Sequence, residues 1–88
     1  MAFSHRTQQA RAAILRVVLA ASGIPVADRT LRDLVRGHLL GEWTELDLGN
    51  VIRDLELDGY ITGITREFDG QRIWSLTDKG QIQAAQIR

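Results

Sequence analysis

The sequence predicts one small α+β domain that is mostly helical, with three helices, a two-stranded β-hairpin and a C-terminal helix. Two observations support this fold class. Apolar residues recur at three- and four-residue steps in three separate segments before residue 60. Asp69-Gly70 then separates two short stretches rich in aromatic and β-branched residues, which is typical of a hairpin. A length of 88 residues predicts a single domain, 1–88.

The first helix is predicted over residues 6–22, where strong helix formers dominate. Its apolar residues occupy more than one side, so we expect neighbours to cover it from several directions. Gly23 is a typical helix stop, and Pro25 prevents continuation.

The second helix is predicted over residues 28–40, with Asp28 as its N-cap. Its core face is expected to comprise Leu31, Leu34 and Val35. Arg29, Arg32 and Arg36 fall within about 60° of one another on the opposite face, because successive helical residues are 100° apart. These arginines are either phosphate contacts or an ordinary solvated helix face.

The third helix is predicted over residues 44–58, with Thr44 as its cap and Gly59 just past its end. Its core face comprises Leu48, Val51, Ile52 and Leu55. Arg53 is the one basic residue in this segment, against five acidic ones: Glu45, Asp47, Asp54, Glu56 and Asp58. The first two acids favour the helix dipole, but the last three lie where that dipole disfavours negative charge.

The face opposite this core stripe carries Leu46, Asn50, Arg53 and Leu57. Asparagine and arginine are the residue types that read adenine and guanine edges. The two leucines are either scattered exposed apolar residues or a possible partner surface.

The hairpin strands are predicted over residues 60–68 and 71–76. A two-residue type I′ turn at Asp69-Gly70 would place Glu67 opposite Arg72. Trp74 and Leu76 would then face the core, and Ile61 would join them.

The last helix is predicted over residues 78–87, capped by Thr77, with Gly80 as a weak point that could delay or fray its start. Ile82, Ala85 and Ile87 are expected to share one side. This side and the broad apolar surface of the first helix predict a homodimer formed through helices 1 and 4. The alternative is a monomer in which the last helix folds over the first.

Composition narrows the function classes. Eleven basic and eleven acidic residues cancel, so any affinity for nucleic acid depends on where the charges lie. The chain has no cysteine and no nucleophile, phosphate-loop or metalloprotease motif, so we expect neither an enzyme nor a cofactor. His38 and Glu42 alone are too few ligands for a metal. No apolar run is long enough for a membrane span, and a cytoplasmic protein is expected.

Two motifs carry a family resemblance. The stretch "LELDGYI" (55–61) looks like the leucine-acid-x-x-glycine end of a recognition helix, and "RIWSLTDKG" (72–80) looks like a wing strand running into Leu-Thr-x-x-Gly. With the order of elements, they make residues 10–80 resemble winged helix-turn-helix proteins, in particular small bacterial regulators of the MarR and PadR kind. The size is also similar to that of small winged-helix proteins encoded by phages and prophages.

The resemblance implies binding to double-stranded DNA, with residues 44–58 near the major groove and 66–72 against the backbone or minor groove. Two arginines of the wing join the candidates named above. The expected DNA contacts are Arg29, Arg32, Arg36, Asn50, Arg53, Arg66 and Arg72. The alternative is a winged-helix protein–protein interaction module that uses the acidic third helix with Leu46 and Leu57.

The acids of the third helix separate these alternatives. Carboxylates near a DNA groove are repelled by phosphate, unless basic residues of the protein neutralise them. We expect Glu56 or Asp58 to form an ion pair with Arg16, Arg66 or Arg72. Unpaired acids would instead favour the interaction module.

Overall fold

The computed structural model describes residues 4–87. Its elements are α1 (His5–Ala20), β1 (Val26–Ala27), α2 (Asp28–Arg36), α3 (Glu45–Leu57), β2 (Ile61–Thr65), β3 (Arg72–Leu76) and α4 (Asp78–Gln86). The three strands form an antiparallel sheet in the order β1-β3-β2. The α+β fold class is confirmed, with one strand more than expected. None of the helices in this part of the chain is long and apolar enough to cross a membrane.

Helix α1 is the centre of the core and contacts α2, α3, α4 and β3. Its buried residues are Ala10, Ala13, Ile14, Leu15, Val17 and Val18. Burying each of the larger apolar side chains contributes roughly 1.5–3 kcal/mol. Most of the broad apolar surface predicted for this helix is therefore covered within one chain, and α4 packs against it.

The first two helices end earlier than predicted. α1 stops at Ala20, since Ser22 and Gly23 both adopt positive φ, 55° and 86°. α2 stops at Arg36 because the chain then forms a turn, in which the His38 amide donates to the Val35 carbonyl at 2.9 Å.

The start and the buried face of α2 also differ from the prediction. Ala27, not Asp28, occupies the N-cap position, because Ala27 belongs to β1 and is aligned with Ile73 of β3. Leu34 is 49% exposed, and Leu31 and Val35 alone carry the buried face of this short helix.

The hairpin has a longer loop than predicted. Thr65 is opposite Arg72, so the register is shifted by two residues, and Glu67 lies in the loop rather than opposite Arg72. Gly70 adopts a φ of 70°, but Asp69 does not adopt the positive φ that a type I′ turn requires. The Asp69 carboxylate instead accepts from the Gln71 amide at 3.0 Å. A shift of two residues leaves the faces unchanged, which is why Trp74 is buried as predicted.

The start of α4 packs tightly against the chain that follows α3, at Tyr60. Gly80 is buried, and a Cβ at this position would lie 1.9 Å from the Tyr60 carbonyl oxygen. The Thr77 hydroxyl accepts from the Gly80 amide at 3.0 Å and donates to the Gly59 carbonyl at 2.6 Å. The close contact at Gly80 therefore fixes the position of α4. Gly80 does not delay the start of the helix, which begins at Asp78.

The buried side of α4 was predicted wrongly. Ala84 is buried and Ile87 is partly buried, whereas Ile82 and Ala85 are exposed. The contact at Gly80 explains the rotation, because residues four apart share a helix face and Ala84 follows Gly80 by four.

Candidate nucleic-acid interface

The outward strip of α3 is open. Asn50 and Arg53 are exposed, and neither side chain has a hydrogen bond or ion pair within residues 4–87. Leu46 and Leu57 flank them on the same face at 72% and 75% exposure. The helix therefore presents one amide and one guanidinium between two leucines.

The beginning of α3 is closed by a capping box. The Thr44 hydroxyl accepts from the Asp47 amide at 3.0 Å, and the Asp47 carboxylate accepts from the Thr44 amide at 3.1 Å. The bond from that amide is the main reason that the pKa of Asp47 lies below its usual value. The hydrogen bond to the Thr44 amide therefore fixes this carboxylate at the N-terminal end of α3.

Two acids of the second half of α3 are neutralised by distant arginines. Glu56 bonds Arg72 of β3 at 2.5 Å, which confirms the expected ion pair. Asp58 pairs with Arg11 of α1 at 2.9 Å, a partner that the sequence did not indicate. Asp54 is the remaining acid of α3, and it has no side-chain partner in the described part of the chain.

Glu45 joins α3 to α2. Its carboxylate bonds Arg36, and it also bonds Arg32 at 3.0 Å. The pKa of Glu45 is lowered, mainly by the hydrogen bond from Arg36. We call Glu45, Arg32 and Arg36 the α2–α3 charge cluster.

Arg32 is the most enclosed member of this cluster, with a side chain that is 20% exposed. Its Nε donates to Asp28 at 2.9 Å, and its Nη1 donates to the main-chain oxygen of Glu45 at 2.8 Å. Asp28 in turn accepts from the indole nitrogen of Trp74 at 2.9 Å. Gly49 leaves room for the guanidinium, since a Cβ there would lie 3.3 Å from Arg32 Nη2. These contacts connect the sheet, α2 and α3.

The wing arginines are also engaged within the chain. Arg66 bonds Asp69 through two nitrogens, and the pKa of Asp69 falls to about 2, mainly because of that pairing. Arg72 lies over the Trp74 ring at 5.1 Å, besides its bond to Glu56. Gly63 makes this stacking possible, since a Cβ there would lie 2.7 Å from the indole.

The predicted contacts thus fall into two groups. Among the described residues, Arg29, Asn50 and Arg53 have side chains without an intramolecular partner. The other four form ion pairs: Arg32, Arg36, Arg66 and Arg72. Of these pairings, the sequence analysis anticipated one for Arg72; it missed the bonds of Arg32 and Arg36 to Glu45, which join two helices, and the Arg66–Asp69 pair, which depends on the loop conformation.

The described residues were also compared with the requirements of a metal site. Among residues 4–87, no group of three or more histidine, aspartate or glutamate side chains could hold a metal ion.

Comparisons with known proteins agree with the architecture. No protein-family model matches the sequence, and no curated protein does. Among solved structures, the chain is similar to the PcaV transcriptional regulator from Streptomyces coelicolor, a winged-helix protein of the MarR family, which was determined in complex with its natural ligand. The TM-score is 0.74 at 22% identity, and the match covers 96% of this chain and 55% of PcaV. The predicted winged helix-turn-helix fold is thereby confirmed. The chain spans about half the length of PcaV.

Proposed function

We propose that this protein binds double-stranded DNA and acts as a small transcriptional regulator in the cytoplasm. The observation that carries the proposal is the open strip of α3, where Asn50 and Arg53 face outward without a partner. In winged-helix proteins this helix lies near the major groove. An asparagine can pair with adenine there, and an arginine can pair with guanine.

The acidic residues of α3 are compatible with this proposal, because most of their carboxylates have partners within the protein. Arg32 and Arg36 pair with Glu45, Arg72 pairs with Glu56, and Arg11 pairs with Asp58. Asp47 is held by its helix cap. Paired carboxylates repel phosphate far less than free ones, because the partner charge lies within a few ångströms.

The proposed contacts have different roles. Arg53 and Asn50 read bases, and Arg29, which is free at the start of α2, contacts a phosphate. Arg66 and Arg72, whose side chains stay 45% and 42% exposed beside their ion pairs, contact the DNA backbone from the wing. Backbone contacts determine affinity, whereas base contacts determine sequence preference.

Selection from a random duplex pool, followed by salt titrations of binding, tests the proposal. Arg53→Ala should relax the preference at one base pair by roughly 1–3 kcal/mol. Arg29→Ala should weaken binding to all duplexes and reduce the salt slope by about 1. Arg16→Ala, which removes the same charge from α1, is the matched control and should change neither. Selection that enriches no sequence would refute the regulator.

A protein–protein interaction module remains the second candidate, because Leu46 and Leu57 are exposed on the same strip. Replacing both by serine separates the two functions. A DNA-binding protein should keep its selected sequence and nearly all its affinity, since leucine does not pair with phosphate. Loss of an in vivo partner without loss of DNA affinity would favour the module.

We further propose a homodimer formed around α1 and α4. A surface groove of about 420 Å³ lies between the end of α1 and the start of α4 and is lined by Leu19, Ile24 and Leu76. Leu19, Ile24 and nearby Ile82 are exposed. Two-fold symmetry would let two copies of α3 meet two half-sites. Sedimentation at micromolar concentration tests this, with Ile82→Glu expected to shift the protein to monomer mass. A wild-type protein of monomer mass would refute it.

A further inference from the structure

The α2–α3 charge cluster has the form of an occupied anion site. Two guanidiniums from successive turns of α2 converge on the single carboxylate of Glu45. The carboxylate is the outermost member, since the Glu45 side chain is 65% exposed while those of Arg32 and Arg36 are 20% and 36% exposed. A molecule that approaches this surface meets Glu45 before it meets the arginines.

A phosphate group matches the position that Glu45 fills. Phosphate and carboxylate both accept hydrogen bonds from guanidinium groups, and arginine pairs bind either one. Arg29 and Arg32 line one open groove of about 360 Å³ beside Glu45, and the same groove is also lined by two aspartates, Asp28 and Asp33. With Glu45 displaced, the two arginines that it now bonds, Arg32 and Arg36, would be able to bind one anion in its place.

We propose that Glu45 is a built-in competitor for DNA phosphate, and that its side chain leaves Arg32 and Arg36 when the protein engages a duplex. The proposal rests on the proposed function and deepens it. Arg32 and Arg36 then contact phosphate only in the DNA complex. In the free protein, Arg29 alone of these three arginines has no side-chain partner among the described residues.

The cluster can release Glu45 without losing its shape. Arg32 remains held by Asp28 and by the main-chain oxygen of Glu45. The start of α3 remains fixed by the capping box at Thr44. The Glu45 carboxylate therefore adds little to the position of Arg32 or α3, whereas it does neutralise the arginine charges.

Glu45→Gln is the decisive variant, because it keeps the size and the acceptor oxygen but removes the charge. We expect DNA affinity to rise about 3- to 10-fold, because the arginines no longer have to leave a carboxylate, while the salt slope stays close to that of the wild type, because both proteins make the same phosphate contacts once bound. Asp54→Asn is the matched control: it removes one unpaired charge from the same helix. Any gain from Asp54→Asn should be independent of Arg36, because this substitution frees no arginine.

A second substitution identifies the arginine that is released. Arg36→Ala should weaken the wild type little, because there the contact of Arg36 with phosphate is gained only at the expense of its ion pair with Glu45. The same change in the Glu45→Gln background should abolish most of the gain. Equal effects of Arg36→Ala in the wild type, in Glu45→Gln and in Asp54→Asn would overturn the exchange.

A measurement without DNA separates this proposal from the proposed function. Inorganic phosphate is titrated while the arginine Nε–H signals are followed by NMR. The Arg32 and Arg36 signals should shift at several-fold lower phosphate concentration in Glu45→Gln than in the wild type. If they do, the exchange stands even where no variant binds a duplex, and only the proposed function fails. Identical titrations of the two proteins would overturn the exchange.

Discussion

The two ends of α3 are attached to the rest of the molecule in different ways. Its N-terminal end is joined to α2 by the charge cluster of Glu45, Arg32 and Arg36. Past its C-terminal end, the chain at Tyr60 meets α4 through a backbone contact that only glycine permits, at Gly80. An ion pair can exchange its partner for a ligand, whereas close backbone packing cannot. The end of α3 near the proposed phosphate contacts is thus the adaptable one.

The largest expected effect is at the rigid end. Gly80→Ala places a Cβ within 1.9 Å of the Tyr60 carbonyl oxygen, so the backbone must move. We expect a loss of about 3 kcal/mol in the free energy of unfolding, at the upper end of the usual cost of overpacking. Urea denaturation measures it, and Gln81→Ala, an exposed neighbour, should stay within about 0.5 kcal/mol of the wild type. Equal stability of both variants would remove the contrast between the two ends.

The second-largest expected change in stability concerns the capping box at Thr44. Thr44→Ala removes the acceptor for the Asp47 amide and should cost about 1 kcal/mol. Thr44→Ser keeps the hydroxyl and is the control. Thermal unfolding followed by circular dichroism compares the three proteins. If alanine and serine behaved alike, the hydroxyl would not stabilise this end of α3.

At the N-terminal, adaptable end of α3, replacing a glycine by alanine should raise the free energy of unfolding, whereas Gly80→Ala should lower it. Gly49→Ala brings a methyl group within 3.3 Å of the flexible tip of Arg32, which can shift. Alanine is the better helix former, and we expect a gain of about 0.5 kcal/mol. The same urea experiment checks this. A loss comparable to that of Gly80→Ala would mean that the charge cluster is as rigid as the contact at Gly80.

The smallest effect concerns the wing loop. The folded pKa of Asp69 is about 2, below the ordinary 3.8, because Arg66 and the Gln71 amide stabilise its charged form. Its contribution to stability is complete above the unfolded pKa and disappears as the pH falls through about 2. Asp69→Asn should therefore flatten the loss of stability between pH 4 and pH 2. Glu67→Gln, a neighbouring acid of the loop, should leave that acid profile unchanged.

The sequence predicted features that depend on local periodicity and caps. The order of helices and hairpin, the Thr44 cap and the outward strip of α3 all follow from residue spacing within one element. It did not predict the hairpin register, since an Asp-Gly pair suits more than one loop and the side chain of Asp69 decides between them. The sequence did not predict β1, because a strand of two residues is too short to show the alternation of apolar and polar residues that indicates a strand.

The candidate DNA-contacting residues were predictable only where their position depends on residue spacing within one helix. Asn50 and Arg53 could be placed on a face, because that requires only the helical repeat. The ion pairs that neutralise α3 could not, since Arg11 and Asp58 are 47 residues apart and meet only after folding. That Glu56 or Asp58 would pair with one of three arginines was expected from a different argument, because acids in the second half of a helix need compensation, and Glu56 with Arg72 is one of the pairs so anticipated.

The bond between Trp74 and Asp28 makes the junction of sheet, α2 and α3 observable by fluorescence. The chain has two tryptophans, and the other one, Trp43, is partly exposed beneath the Arg6 guanidinium. A Trp43→Phe protein would emit from Trp74 alone, a buried indole beside the residue that holds Arg32. Light from this single residue would report, in real time, whether the arrangement around Asp28 changes when DNA or phosphate is added.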